Sequence, residues 1–349
     1  MSNYSHIIGW DVGGANLKAV LLDAQSEPIR TFQMPCPLWR GLHELEQAVD
    51  QVLSDIDVLA PQHAITMTGE LVDLFPNRHE GVLSIANFMH HKLNGILYFY
   101  AGSQEFVTYE LVSEKSHYIA SANWHASATY TAKICGQGLM LDIGSTTSDF
   151  VALYEGLPNV QGFSDAERMR ENALIYTGVA RTPLMSLASR VDFEGSLTNV
   201  AAEHFATMAD VYRLTGDLQL KDDVSDTADG ATKSLFDSAR RIARMIGHDV
   251  EDLEMNAWLR LAHTFKSIQL GRLQEAAETH FSKFAFLNDA PFIGVGAGRF
   301  LVKNLAERME KPYVDISSMI IAKDKSQQHL AGACLPAYAV AYLLAKQVC

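Results

Sequence analysis

Short apolar runs broken by small residues mark the beginning, middle and end of the chain. Stretches with apolar residues three and four apart lie between them. Residues 7–10 and 19–22 are apolar and flank a polar turn segment. The same arrangement returns around residues 141 and 150–153. Each pair predicts a β-hairpin with an acid at the end of its first strand and a small-residue turn after it. Residues 201–214 and 235–246 carry the three- and four-residue spacing of amphipathic helices, and residues 300–309 predict a further helix. The most apolar late stretch, residues 335–345, falls well short of the ~20 residues that span a bilayer and predicts a buried helix.

The hairpins are copies of one another. Trp10-Asp11-Val12-Gly13-Gly14-Ala15-Asn16-Leu17-Lys18 aligns with Leu141-Asp142-Ile143-Gly144-Ser145-Thr146-Thr147-Ser148-Asp149 at an offset of 131. Ile65-Thr66-Met67-Thr68-Gly69 and Phe292-Ile293-Gly294-Val295-Gly296 both read as strands that end in glycine and open a helix. Matching Gly69 to Gly296 gives an offset of 227. The second copy then carries about 96 additional residues, assigned to a largely helical insertion at about 165–270. Two duplicated α/β lobes with matching acidic hairpins are similar to the actin-like ATPase (ribonuclease H-like) fold. The expected first lobe is 1–130, completed by a C-terminal helix at about 330–349. The expected second lobe is 131–329, with a phosphate-binding cleft between the two.

Composition narrows the ligand. With 28 basic and 41 acidic residues the formal net charge is −13, and no Lys/Arg cluster offsets it, which argues against nucleic acid and anionic membranes. A hydrophobic share of 48% is enough for two cores. The cysteines, Cys36, Cys135, Cys334 and Cys349, form no C-x-x-C pair, and the N-terminus shows no basic, then apolar, leader. A cytoplasmic protein is expected, and homo-oligomerisation is left open.

An anion in such a chain must be held locally. In Asp11-Val12-Gly13-Gly14-Ala15-Asn16, glycines let backbone N–H groups approach a phosphate, while Asn16 and Lys18 add an amide donor and a charge. An ordinary hairpin explains this segment equally well by itself. Gly144-Ser145-Thr146-Thr147 strengthens the phosphate reading with three consecutive hydroxyls behind a glycine. Asp11 and Asp142 are then the expected carboxylates for Mg²⁺, which favours one or two carboxylates plus water. Gly296 and Gly298, in Gly294-Val295-Gly296-Ala297-Gly298-Arg299-Phe300, open a helix whose free N–H groups suit an anion, although tight strand–helix packing also favours glycine. Glu70, just past a strand end, is a candidate base or outer metal partner, or simply a helix-start acid. His90-His91 reads as a surface pair.

With these residues in view, the chain resembles a branch of the hydantoinase/oxoprolinase-like proteins found with tetrahydromethanopterin-linked C1 transfer and methanofuran biosynthesis. The segments that carry the likeness are DVGGANLKA, TMTGELVDLF, LDIGSTTSDF, YTGVARTPL, ADVYRLTGDL, DTADG, ARRIARMIGHD and GVGAGRF. The resemblance implies a transferase that needs no ATP. Diphosphate would leave an aminomethylfuran-methyl diphosphate as a phenol oxygen of a (glutamyl)tyramine or tyrosine acceptor attacks. It also implies that Asp142, Glu70 and Asp149 are catalytic, the last two as candidate bases for the phenol. Gly13, Gly14, Asn16, Lys18, Gly144, Ser145, Thr146 and Thr147 would cradle the diphosphate. Tyr176, Arg181, Thr182, Asp229 and Lys233 would contact substrate. Arg181 can instead form a salt bridge, and by composition the acidic loop at 222–233 is a solvated face. The rival expectation is a small-molecule kinase on the same fold, with ATP against residues 294–298. A phosphate sensor or assembling protein ranks third.

Overall fold

In the computed structural model, which describes residues 6–58, 61–218, 223 and 225–348, the chain forms two units. One comprises Met1–Gly138, Leu153–Val160 and Asp315–Cys349, and the other Leu139–Ala152 and Gln161–Val314. The chain therefore changes unit at 138/139, 152/153, 160/161 and 314/315, beside the expected boundaries after 130 and 329.

The first unit is built on β1 (Ile7–Val12), β2 (Asn16–Leu22), β3 (Pro28–Pro35), β4 (Gln62–Met67), β5 (Ile96–Tyr100) and β6 (Phe106–Val107), joined in the order β3-β2-β1-β4-β5-β6. Strands β1 and β4 pair in parallel and are buried along their whole length. Neither shows a polar alternation, because both faces of the sheet are covered. Ile8, Trp10, Val12, Ile65 and Met67 enter one core with α1 (Leu42–Ser54) and α2 (Arg78–Lys92). In α1 the residues Leu45, Ala48, Val49 and Val52 form the apolar stripe. Helices α3 (Val112–Ile119) and α4 (Asn123–Cys135) complete this stretch of the unit.

The second sheet contains β7 (Gly138–Ile143) and β8 (Ser148–Tyr154), with the short β9 (Leu157–Asn159) beside β8. After α5 (Asp165–Arg170), β10 (Leu174–Ile175) pairs antiparallel with β8. A separate hairpin of β11 (Arg190–Phe193) and β12 (Ser196–Asn199) follows. Then come α6 (Met208–Thr215), α7 (Leu235–Arg244) and the long α8 (Met255–Lys283). Next, β13 (Phe292–Val295) pairs in parallel with β7 and leads into α9 (Arg299–Arg308) and β14 (Tyr313–Asp315). The sheet order is β10-β8-β7-β13-β14. It repeats β3-β2-β1-β4-β5 of the first unit, so the fold is the duplicated actin-like one expected from the hairpins.

Two details correct the expected repeat. Asp11 is registered with Thr66, and Asp142 with Val295. Val295 lies 229 positions after Thr66, not 227, so Gly69 corresponds to Gly298 and the excess is 229 − 131 = 98 residues. The stretch 165–270 is also less helical than expected. It supplies β10, the counterpart of β3, and a β-hairpin, and α8 continues past it to Lys283. Helix α6 begins at Met208 rather than at 201. The Thr207 N–H donates to Asp210 Oδ2 at 3.1 Å, which caps the helix there.

The chain then returns to the first unit with α10 (Lys325–Ala333) and α11 (Leu335–Val348). Gly9 makes the approach of α11 to the sheet possible. A Cβ at that position would lie 1.9 Å from the Ala337 carbonyl oxygen and 2.8 Å from Ala341 Cβ.

Candidate functional site

In the first unit, Asp11 is the next-to-last residue of β1. It alternates away from the Ile8–Trp10–Val12 core, opposite Lys18 and beside Thr66. In-register neighbours share a sheet face, so a carboxylate, an ammonium and a hydroxyl stand in one row across three strands. Lys18 Nζ lies 3.8 Å from Asp11 Oδ2, while Asp11 Oδ1 and Thr66 Oγ1 are buried without a hydrogen-bond partner. Burial pushes the Asp11 carboxyl above its usual 3.8, and the Lys18 charge opposes that rise only in part. The turn after it closes with Gly13 N–H donating to Asn16 O at 3.0 Å.

In the second unit the same turn recurs at the same offset, with Gly144 N–H donating to Thr147 O at 2.9 Å. Residues 13–16 and 144–147 are all half-buried, which leaves each turn accessible. Asp142 meets the other glycine-rich turn. A Cβ at Gly296 would fall 2.5 Å from Asp142 Oδ1 and 2.6 Å from Ile143 O, and Gly296 also has φ +78°. No other residue type fits there without moving the carboxylate. The Gly298 N–H donates to Ile143 O at 2.8 Å, and the buried Arg299 guanidinium donates to Gly296 O at 2.7 Å.

Several expected site residues have other work. Asp149 forms an ion pair at 2.9 Å with Arg168, a buried guanidinium that also donates to Ala173 O. Burial raises the Asp149 carboxyl, Arg168 draws it down and Asp165 adds to the rise. The pair ties Asp149 of β8 to α5. Glu70 is 1% exposed and accepts the Ser121 hydroxyl at 2.8 Å, with Gly81 of α2 packed against its backbone, so it too is held inside its unit. Thr182 Oγ1 accepts Gly178 N–H at 2.7 Å and serves the local backbone. Tyr176 and Arg181 are exposed.

Asp229 and Lys233 stand on the exposed loop and also join an ionic network. Buried Arg241 bridges Asp210 at 2.8 Å and Asp229 at 3.0 Å. Arg213 grips Asp210 at 2.9 Å and holds Asp223 through two donors at 2.6 and 2.8 Å, while Lys233 reaches Asp223 at 3.4 Å. Paired buried charges of this kind fasten the loop to α6 and α7. Asp222 lies outside the described residues. His90 stacks on Tyr109 with centroids 3.9 Å apart, an exposed contact consistent with a surface pair.

Three residues were not anticipated. Arg299 had a signal, an arginine directly after a glycine turn. Arg168 and Thr66 had none, because an arginine in a short helix and a threonine in a strand are common in any α/β chain.

Among the described residues no three His, Cys, Asp or Glu side chains converge on a metal position. A largely hydrated magnesium does not need such a cluster, and the buried, unpartnered Oδ1 of Asp11 suits it. No helix among the described residues is long and apolar enough to cross a membrane.

Residues 62–327 match the family described as hydantoinase/oxoprolinase. A relative from Methanocaldococcus jannaschii is 28% identical over 343 residues, covering 98% of both chains. It is named (4-{4-[2-(gamma-L-glutamylamino)ethyl]phenoxymethyl}furan-2-yl)methanamine synthase. A relative from Methanococcus vannielii with the same name is 26% identical over 173 residues, 50% of this chain and 76% of its own. Among solved structures, a ROK family glucokinase from Streptomyces griseus aligns over 98% of this chain and 99% of its own at 14% identity, with a TM-score of 0.48. The ethanolamine utilization protein EutJ from Carboxydothermus hydrogenoformans aligns over 97% of this chain and 89% of its own at 10% identity, with a TM-score of 0.49.

Proposed function

The chain belongs to the hydantoinase/oxoprolinase family, and from that premise we propose that it is a synthase of methanofuran biosynthesis that joins a furanylmethyl group to a phenol. The observation that carries this reading is the end-to-end likeness to the Methanocaldococcus jannaschii synthase, which spans 98% of both chains rather than a shared segment. In the finer proposal the enzyme is a transferase. The C–O bond of an aminomethylfuran-methyl diphosphate breaks and its electron pair leaves with diphosphate. The phenol oxygen of a tyramine- or tyrosine-type acceptor forms the new C–O bond, and the phenolic proton is released.

The furan ring stabilises positive charge on the departing carbon, so the protein's main task is to favour the anionic leaving group. Two turns of one design support that task, each a hairpin with a carboxylate before it and backbone N–H groups within it. Gly144-Ser145-Thr146-Thr147 adds hydroxyl donors, and Lys18 adds a cation beside Asp11. Each turn carries one carboxylate proposed for Mg²⁺, Asp11 before the one and Asp142 before the other, and the ion when bound would neutralise diphosphate charge. Arg181, exposed on the strap after the second turn, is proposed to meet a phosphate or a substrate carboxylate through its fork of donors.

The test is an assay with Mg²⁺, the furanylmethyl diphosphate and a phenolic acceptor. Diphosphate release with aryl-ether formation, unchanged by ATP, is the expected result. Transfer of a phosphoryl group from ATP to an acceptor, with no ether formed, would establish the kinase instead. Asp142→Asn is expected to lower turnover by about 10²–10³-fold, since it removes a carboxylate proposed to hold the Mg²⁺ that neutralises the leaving group.

A further inference from the structure

Behind the Gly144–Thr147 turn runs a strap, residues 177–182, whose backbone is hydrogen-bonded to the turn. Val179 N–H donates to Gly144 O at 3.0 Å, and Ala180 and Arg181 N–H donate to Ser145 O at 3.1 and 2.8 Å. A planar trans peptide points its N–H opposite its C=O. Holding the Gly144 and Ser145 carbonyls on the strap side therefore turns the Ser145 and Thr146 N–H groups away from it, the direction a phosphate needs. The strap lies so close that a Cβ at Gly178 would sit 2.5 Å from Ser145 C and Thr146 N.

The strap is itself pinned. Gln269, fully buried in the long helix α8, donates from Nε2 to Thr177 Oγ1 at 2.7 Å and to Gly178 O at 2.9 Å. Its Oε1 accepts the Tyr212 hydroxyl from α6. The start of α6 holds the strap's other end, with Met208 N–H donating to Thr182 O at 2.9 Å and Ala209 N–H to Ala180 O at 3.3 Å. Asp210 and Arg213 of that helix enter the ionic network with Arg241. The segments YTGVARTPL, ADVYRLTGDL and ARRIARMIGHD thus form one bracket behind the turn.

We infer that Gln269, braced by Tyr212, is a positioning residue that sets the phosphate-accepting shape of the Gly144–Thr147 turn and so controls affinity for the diphosphate end of the substrate. This rests on the phosphate reading of that turn. Gln269→Glu keeps the size and loses both donations, and Gln269→Leu loses them with an apolar side chain. Either is expected to weaken binding of inorganic diphosphate in the presence of Mg²⁺ by about tenfold, the equivalent of one to two net hydrogen bonds. The KM of the diphosphate substrate rises in step while the KM of the phenolic acceptor stays put, a split that a general loss of structure does not produce. Tyr212→Phe keeps the two donations and is expected to cost less, about two- to fivefold, and it serves where a Gln269 variant does not fold by circular dichroism. Folded variants that bind diphosphate as the wild type does, or that raise both KM values alike, overturn the inference alone. A wild type that does not bind diphosphate overturns the phosphate reading of the turn, and the inference with it.

Discussion

Asp11 is the residue whose environment is hardest to reconcile with stability alone. A carboxylate with one oxygen buried and unpartnered, and the Lys18 ammonium 3.8 Å from the other oxygen, destabilises the folded chain in its charged form. The sign of its pH dependence follows. Its folded pKa is raised, so the native state binds the proton more tightly than the unfolded chain does, and stability falls as pH climbs from 3.8 through the folded value and is flat above it. Asp11→Asn should therefore melt higher than the wild type at pH 7 and together with it below pH 3.8, while its turnover drops by about 10²-fold or more. Thermal melts across that range, paired with the ether-forming assay, check both halves. Mg²⁺ should raise the melting temperature of the wild type and have less effect on the variant. Equal melting at pH 7 would show that the charge is compensated by something other than Lys18.

At the scale of elements, the join between β1 and β4 carries a titratable tie that the site does not use. Trp10 Nε1 donates to His63 Nδ1 at 3.0 Å, which leaves Nε2 to donate to Asn94 O at 3.1 Å and makes His63 neutral. Burial lowers its pKa from 6.5 to about 4. The unfolded chain takes up the proton first as pH falls, so this contribution is complete above 6.5 and is lost progressively down to about 4. Its size is about 3 kcal/mol at most. Urea unfolding at pH 7.5 and pH 5 should show the loss, and His63→Gln should flatten it; an unchanged slope with pH in that variant would point to other groups. The β1–β2 hairpin and its copy β7–β8 were legible beforehand, because strand–turn–strand patterning is local and the copies keep their 131-residue offset. The partner strand was misplaced by two residues because glycines were matched, whereas backbone register pairs Asp142 with Val295. Strand β10, only two residues long, is too short to carry a period.

On the scale of the molecule, the returning helix α11 decides whether the first unit is complete. Its buried Ala337, Val340, Ala341 and Leu344 cover the sheet where Gly9 admits them. Burial of Val340 and Leu344 alone is worth about 1.5–3 kcal/mol each. A chain truncated before Leu335 should lose the protection of the Gly9 face of the sheet, seen as faster proteolysis within residues 6–138, while the second unit resists longer. Retained protection in the first unit would mean that another element covers that face.

Short-range pattern determined the two acidic turns, the duplication and the buried C-terminal helix, since each depends on residues a few positions apart. Partner choice over long separations was decided by packing. Asp149 and Asp229 were read as candidate site residues, and only the folded chain brings Arg168 and Arg241 to them. Gln269 lies 92 positions from Thr177, in the middle of a helix whose pattern marks it as nothing special. Its meaning comes from the burial that turns its amide to the strap and to Tyr212.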